Sequence, residues 1–207
     1  MVVQLFTSYK CPQENEPIVK NILQRWKDKN PTFEILYFSD DDVKDFFQKE
    51  YPEYYTIYTQ MRNGVAIADL FRICYIQRFG GYWFDLDVEP ISFDIHHSKM
   101  GQPNVHLFDA GWGNISYMFI GGKPNQHVFQ EVIERVINNI EKHIVNKTDH
   151  VVNITGPKNI QDILLPKMNL ISKNYNFMGE EPKIYLKDTK YESVSYTHLT
   201  LPTSLAV

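Results

Sequence analysis

Residues Ala68–Pro90, ADLFRICYIQRFGGYWFDLDVEP, decide how this chain is read. Asp69 and Arg72 lie three apart in a helical run, so they share one face of the helix. Gly80-Gly81 ends that run. An aromatic strand, Tyr82–Phe84, then leads straight into Asp85-Leu86-Asp87. Two carboxylates one residue apart repel each other, and each resists losing its water. A divalent cation removes that penalty. Mg²⁺ or Mn²⁺ takes a few carboxylate oxygens and leaves room for phosphate oxygens. The stretch therefore reads as a metal site for a phosphate-bearing substrate. Taken alone, Asp69 and Arg72 would be an ordinary intrahelical ion pair worth a few tenths of a kcal/mol.

Working outward, apolar strands alternate with amphipathic helices. Val2–Phe6 suits a first buried strand. Ile18, Val19, Ile22, Leu23 and Trp26 follow at helical spacing, and that helix stops before Asn30-Pro31. Phe33–Phe38 alternates as a second strand. Ser39 then caps a helix that opens on Asp40-Asp41-Asp42, and acids at a helix N-terminus read as dipole-matched capping. Asn63-Gly64 precedes the helix Val65–Phe79, with Gly80 at its left-handed end. Beyond the Asp pair, Val105–Phe108 and Ser116–Ile120 read as strands. Gly121-Gly122 and Pro124 open a long helix carrying Val128, Val132, Val136 and Ile140. Val151–Ile154 is expected as a strand, turning at Thr155-Gly156-Pro157 into a helix Lys158–Leu165. This order predicts an α/β fold with a mixed, mostly parallel central sheet flanked by helices.

Composition bounds the function. The 207 residues suit one domain, with 43% hydrophobic and 22% charged residues, ordinary for a globular protein. A net charge of −4 and a pI near 6.0 argue against nucleic acid as a partner. No apolar run spans a bilayer and no leader pattern follows Met1, so the expected location is cytoplasmic or peripheral to a membrane. Cys11 and Cys74 form no disulfide framework, and Cys74 reads as a reduced core residue. Asn114, Asn146 and Asn153 begin Asn-x-Ser/Thr triplets, which matter only in a secreted chain.

Asp69-x-x-Arg72 followed by Gly80-Gly81-Tyr82-Trp83-x-Asp85-x-Asp87 resembles the central block of the DXD sugar-transferases of glycosyltransferase family 32, and is similar to that of glucosylating bacterial toxins. The resemblance implies a GT-A-like fold with the nucleotide at the carboxyl ends of the strands, and a hexose donor activated as GDP- or UDP-hexose. It implies retention of anomeric configuration and an acceptor that is a glycan, a glycolipid or a protein. Mn²⁺ or Mg²⁺ would bind at Asp85 and Asp87, with Asp87 the direct ligand and Asp85 acting through water, the ribose or the sugar. Asp69 would accept hydrogen bonds from sugar hydroxyls, and Arg72 would orient it or touch the sugar. Gly80 and Gly81 stop the helix and would let the donor approach closely. Asn114, in the loop GWGNIS, would lie near the donor.

Other positions keep two readings. Tyr82 and Trp83 are strand-face core residues or a sugar-stacking surface. The Thr155-Gly156-Pro157 turn is structural, with Pro at the helix start, or offers backbone N–H groups to an anion or acceptor. His96, His97, His127, His143 and His150 have no metal-ligand spacing. The base pocket is expected near Leu5–Tyr9. No residue announces itself as the catalytic base or nucleophile. Ser195–Val207 (SYTHLTLPTSLAV) lacks periodicity and is expected to be a non-native or disordered tail outside a single domain 1–194; were it native, His198 would be an additional metal ligand. Two rival functions use the same Asp pair. One is a haloacid-dehalogenase-type phosphohydrolase, with Asp85 as nucleophile. The other is an inactive sugar-nucleotide-binding protein.

Overall fold

The computed structural model describes residues 3–88, 104–109, 115–146, 151–164 and 194–198. Asn114, His96, His97, His150 and residues 199–207 lie outside them, so the expectations placed on those residues are not addressed by the fold. Six strands form one sheet: β1 Gln4–Ser8, β2 Glu34–Phe38, β3 Gly81–Phe84, β4 Val105–Asp109, β5 Ile115–Gly122 and β6 Val194–His198. Their order is β2-β1-β3-β5-β4-β6. β1 pairs parallel with β2 and β3, β5 pairs antiparallel with β3 and β4, and β4 pairs parallel with β6. Only β5 runs against the other five. Ser8, Phe38, Phe84, Asp109 and His198 therefore end their strands along one rim of the sheet, where β5 begins at Ile115. This mixed, mostly parallel sheet flanked by helices is the predicted fold class.

Helices α1 (Pro17–Lys29), α2 (Asp40–Glu50), α3 (Tyr55–Gln60), α4 (Gly64–Phe79), α5 (His127–Asn146), α6 (Val151–Ile154) and α7 (Lys158–Leu164) cover the sheet. Alternation along β1 and β3, with a register irregularity where β5 meets β4, sorts the core into two layers. Leu5, Tyr82, Phe84 and Phe119 pack with Val19, Leu23 and Trp26 of α1. Phe6, Trp83, Tyr117 and Ile120 pack with α2, α4, α5 and α7 on the other side. Helix α4 lies deep in this second layer: Leu70, Phe71, Ile73, Cys74 and Ile76 are all buried. Cys74 is the reduced core residue expected.

Local sequence sets the helix ends that matter for the site. Ser39 Oγ accepts from Asp42 N at 3.3 Å, and Asp42 Oδ2 accepts from Ser39 N at 2.8 Å, which completes a capping box on α2. Asn63 Oδ1 caps α4 by accepting from Val65 N and Ala66 N. Gly80 ends α4 with φ 74° and ψ −169°, a conformation available essentially only to glycine.

Three expectations change. Strand β1 starts two residues later than Val2. Val151–Ile154 is a helical turn and not a strand: Thr155 N and Gly156 N both donate back to Val151 O, and the segment packs on α5 rather than along a sheet edge. Tertiary packing outweighs the β preference of its two valines. The break expected between 194 and 195 falls at the start of β6, whose backbone runs through His198 beside β4. A terminal strand docks by backbone pairing and needs no apolar alternation of its own. Among the described residues, no helix is long and apolar enough to cross a membrane.

Candidate functional site

The site is built where α4 crosses the rim end of β3. Side chains alternate along the strand, so Trp83 and Asp85 share the face that looks onto α4. Asp69 and Arg72, three apart on the helix, look back. The guanidinium is the centre of the group. Arg72 Nη2 lies 3.4 Å from Asp69 Oδ1, and Arg72 Nη1 lies 3.3 Å from Asp85 Oδ1. Nη1 also donates to Tyr117 O at 2.5 Å, and Nε donates to Ala68 O at 3.2 Å. The guanidinium carbon stands 4.4 Å over the Trp83 ring. Trp83 completes the ring of contacts, its indole Nε1 donating to Asp85 Oδ1 at 2.6 Å.

Burial makes these contacts matter. Asp69 and Arg72 are 6% and 5% exposed. One guanidinium serves two carboxylates, so the group carries an excess negative charge in a poorly solvated place. Burial drives the Asp69 carboxyl up to about 6, against the pull of Arg72 and of a hydrogen bond from Thr155. Asp85 is raised by the same desolvation, partly countered by Arg72 and the Trp83 indole. A chain selected only for stability would replace such a group with apolar residues at little or no cost. Clustered carboxylates raised by burial at a sheet rim make this a candidate functional site.

Asp87 differs. Val88 N donates to Asp85 O at 3.0 Å, closing a turn that rotates Asp87 away from α4 and into solvent. Among the described residues, no hydrogen bond or ion pair engages its carboxylate. The fit to a divalent cation follows from this donor set. Asp85 is committed to Arg72 and Trp83, while Asp87 presents an open carboxylate two residues on. No group of three His, Cys, Asp or Glu side chains among the described residues makes a closed cage. Such a set suits a hard cation held by one or two carboxylates and completed by substrate phosphate and water.

The other expectations sort plainly. The two glycines serve the fold: a Cβ on Gly80 would meet Pro124 Cδ at 2.8 Å, and one on Gly81 would meet Gln4 O at 3.0 Å. The space without a Cβ is filled by protein, so close approach of a donor is not the reason for either. Trp83 is buried beneath Arg72 and is no sugar-stacking surface. Its donation to Asp85 was legible only as an i, i+2 pair on one strand face. Arg72 has its donors engaged by protein, which fits orienting Asp69 and Asp85 rather than touching sugar. The N–H groups of Thr155 and Gly156 are used by Val151 O and are not offered to an anion. Instead the Thr155 hydroxyl donates to Asp69 Oδ2 at 3.1 Å. No periodicity could foretell a contact across 86 residues.

Residues 17–96 match the family described as "Glycosyltransferase sugar-binding region containing DXD motif". Over 61 residues, the chain is 30% identical to inositol phosphoceramide mannosyltransferase 3 of Schizosaccharomyces pombe. That alignment takes in 30% of this chain and 17% of the yeast protein. The fold is similar to the solved structure of the PaToxG glycosyltransferase, with a TM-score of 0.51 over 79% of this chain and 67% of that one, at 12% identity. The matched region spans α4, β3 and both acids of the Asp85–Asp87 turn, so the chain is similar to DXD-motif glycosyltransferases over the part that builds this site, and it spans only a small part of the yeast relative's length.

Proposed function

We propose that the protein transfers a hexose from a GDP- or UDP-hexose to a glycan, glycolipid or protein acceptor, with Mn²⁺ or Mg²⁺ at the Asp85–Asp87 turn and with retention at the anomeric carbon. One observation carries the reading: at the rim end of β3 Arg72 bridges a buried carboxylate, Asp69, and a half-buried one, Asp85, beside an exposed one, Asp87. A bound divalent cation supplies Lewis acidity that stabilises the departing diphosphate. Asp87 would be its direct protein ligand. Asp85, held by Trp83 and Arg72, would accept from a water or a ribose or sugar hydroxyl. Asp69 accepts from sugar hydroxyls, and Arg72 keeps both acids in place. Family 32 chains retain configuration, and that expectation comes with the family rather than from any nucleophile in the site. The base of the nucleotide is expected near Ser8 and Tyr9, where β1 reaches the same rim.

Asp85 as a phosphohydrolase nucleophile fits poorly, because its Oδ1 already accepts from the indole and faces the guanidinium. The yeast relative is by name an inositol phosphoceramide mannosyltransferase, so a mannosyl donor with a lipid acceptor is the first pair to try. Thermal-shift titrations with GDP-mannose, UDP-glucose and UDP-galactose, each with and without Mn²⁺, test the proposal. A ligand at 100 times its Kd adds about 2.7 kcal/mol of stability. A metal-dependent shift with one of the three supports the reading, and no shift with any of them removes it.

A further inference from the structure

The α5–α7 side of the molecule contributes a residue to the site that the Asp-rich block does not contain. Asp69 has two carboxylate oxygens and, among the described residues, two side-chain partners. Oδ1 faces Arg72 Nη2, and Oδ2 accepts from Thr155 Oγ1. Thr155 itself is 1% exposed. Its hydroxyl has a second acceptor within reach, Val151 O at 3.3 Å, and one hydroxyl proton cannot serve both at once.

The turn that carries Thr155 is fastened to α5 through one buried amide. Asn159 Nδ2 donates to Ile154 O at 3.2 Å and to Gly156 O at 3.0 Å. Asn159 Oδ1 accepts from Arg135 Nε at 3.2 Å and Asn139 Nδ2 at 2.9 Å. Asn139 Nδ2 also reaches Ile154 O at 3.3 Å. So both faces of the Asn159 amide are engaged, and the hydroxyl arrives at Asp69 from a rigid support. Rigid support of a binding group is what a precise site needs.

We propose that Thr155 is a positioning residue for donor-sugar recognition: its hydroxyl fixes Asp69 Oδ2 while Arg72 fixes Oδ1, so the carboxylate meets the sugar in one orientation. Charge and geometry both point this way. A structural ion pair would need one acid for one arginine, whereas Arg72 already faces Asp85 as well. Asp69 is thus the under-compensated member, and a hydroxyl donor from the turn between α6 and α7 supplies what Arg72 cannot. Charge-assisted donation of this kind is stronger than a neutral bond, and it sets direction. The inference rests on the reading of Asp69 as the sugar contact.

Calorimetry on the full chain with Mn²⁺ tests it. The ligands are whichever of GDP-mannose, UDP-glucose and UDP-galactose binds, and the matching GDP or UDP. Thr155→Val keeps the shape and removes the donor. It is expected to weaken the sugar nucleotide about tenfold while leaving the nucleoside diphosphate within about twofold, and Thr155→Ser should restore the wild-type ratio. If Thr155→Val does not fold, Thr155→Ser against Thr155→Ala makes the same comparison, since both lose the methyl and only Ser keeps the hydroxyl. Equal losses for both ligands, no loss, or a Ser variant that behaves like Val or Ala would overturn the proposal. A loss of sugar discrimination in Asp69→Asn without one in Thr155→Val removes Thr155 alone and leaves the donor-site reading standing. Failure of all three sugar nucleotides to bind wild type removes both.

Discussion

Two acidic turns follow β2 and β3, the strands on either side of β1, at the same rim of the sheet, and they are held in opposite ways. After β2, Asp40, Asp41 and Asp42 lie exposed at the start of α2. Their partners are local, with Asp42 locked into the capping box by Ser39. After β3, Asp85 is drawn inward onto a buried arginine and a tryptophan and is half-buried, while Asp87 is exposed. The first cluster is stabilised by its own helix, through free N–H groups and the dipole. The second holds excess charge that its surroundings do not fully neutralise. The number of acids does not separate the two turns; what each carboxylate touches does.

Removing the guanidinium that holds the second turn together should have the largest effect. Arg72→Leu leaves a buried and a half-buried carboxylate without their cation, and such deletions cost about 3–5 kcal/mol. Chemical denaturation should show that loss. A cost below about 1 kcal/mol would place Asp69 and Asp85 in much better solvation than their burial indicates.

Asp69→Asn should act in the opposite direction near neutrality. The Asp69 carboxyl, pushed up to about 6, protonates more readily folded than unfolded. Its contribution to stability is therefore fully present below the ordinary carboxyl value, and is lost as pH rises towards about 6. Across that window wild type should lose roughly 2–3 kcal/mol through this one group, at about 1.4 kcal/mol per pH unit. The variant lacks the slope, so the stability difference between it and wild type should shift in its favour from pH 4 to pH 6.5. Using the difference cancels other buried groups, such as His106, which burial lowers to about 4 and which therefore costs stability as pH falls from 6.5 towards 4. A pH-independent difference would mean that Asp69 titrates normally.

The capping cluster should respond as a cap and nothing more. Ser39→Ala is expected to cost about 1 kcal/mol and to leave ligand binding alone. Smallest of all, Asp87→Asn should leave thermal stability within a degree or two, because its carboxylate has no protein partner among the described residues to lose.

Much of this was legible in the residues. The helix stop at Gly80-Gly81, the strand Tyr82–Phe84 and the acids after it define the turn by local rules alone, and the Ser39 cap follows from its spacing to Asp42. Asp69 and Arg72 share a helix face by simple periodicity. What could not be read is what depends on distant packing. Val151 and Val152 favour a strand, yet α5 holds their segment as a helical turn. Thr155 meets Asp69 only because that turn is seated on α5. The glycines looked like room for a donor, but the room belongs to Gln4 and Pro124. A terminal strand beside β4 gave no pattern of its own, because backbone pairing does not need one.

The central claim is that the turn after β3, and not the one after β2, binds metal and sugar nucleotide. Calorimetric titration of the best-binding sugar nucleotide, with and without Mn²⁺, into wild type, Asp87→Asn and Asp41→Asn decides it. Asp41→Asn is predicted to keep the wild-type Mn²⁺ enhancement, and Asp87→Asn to lose at least tenfold of it, about 1.4 kcal/mol. Full Mn²⁺-dependent binding by Asp87→Asn, or its loss in Asp41→Asn, would contradict the claim.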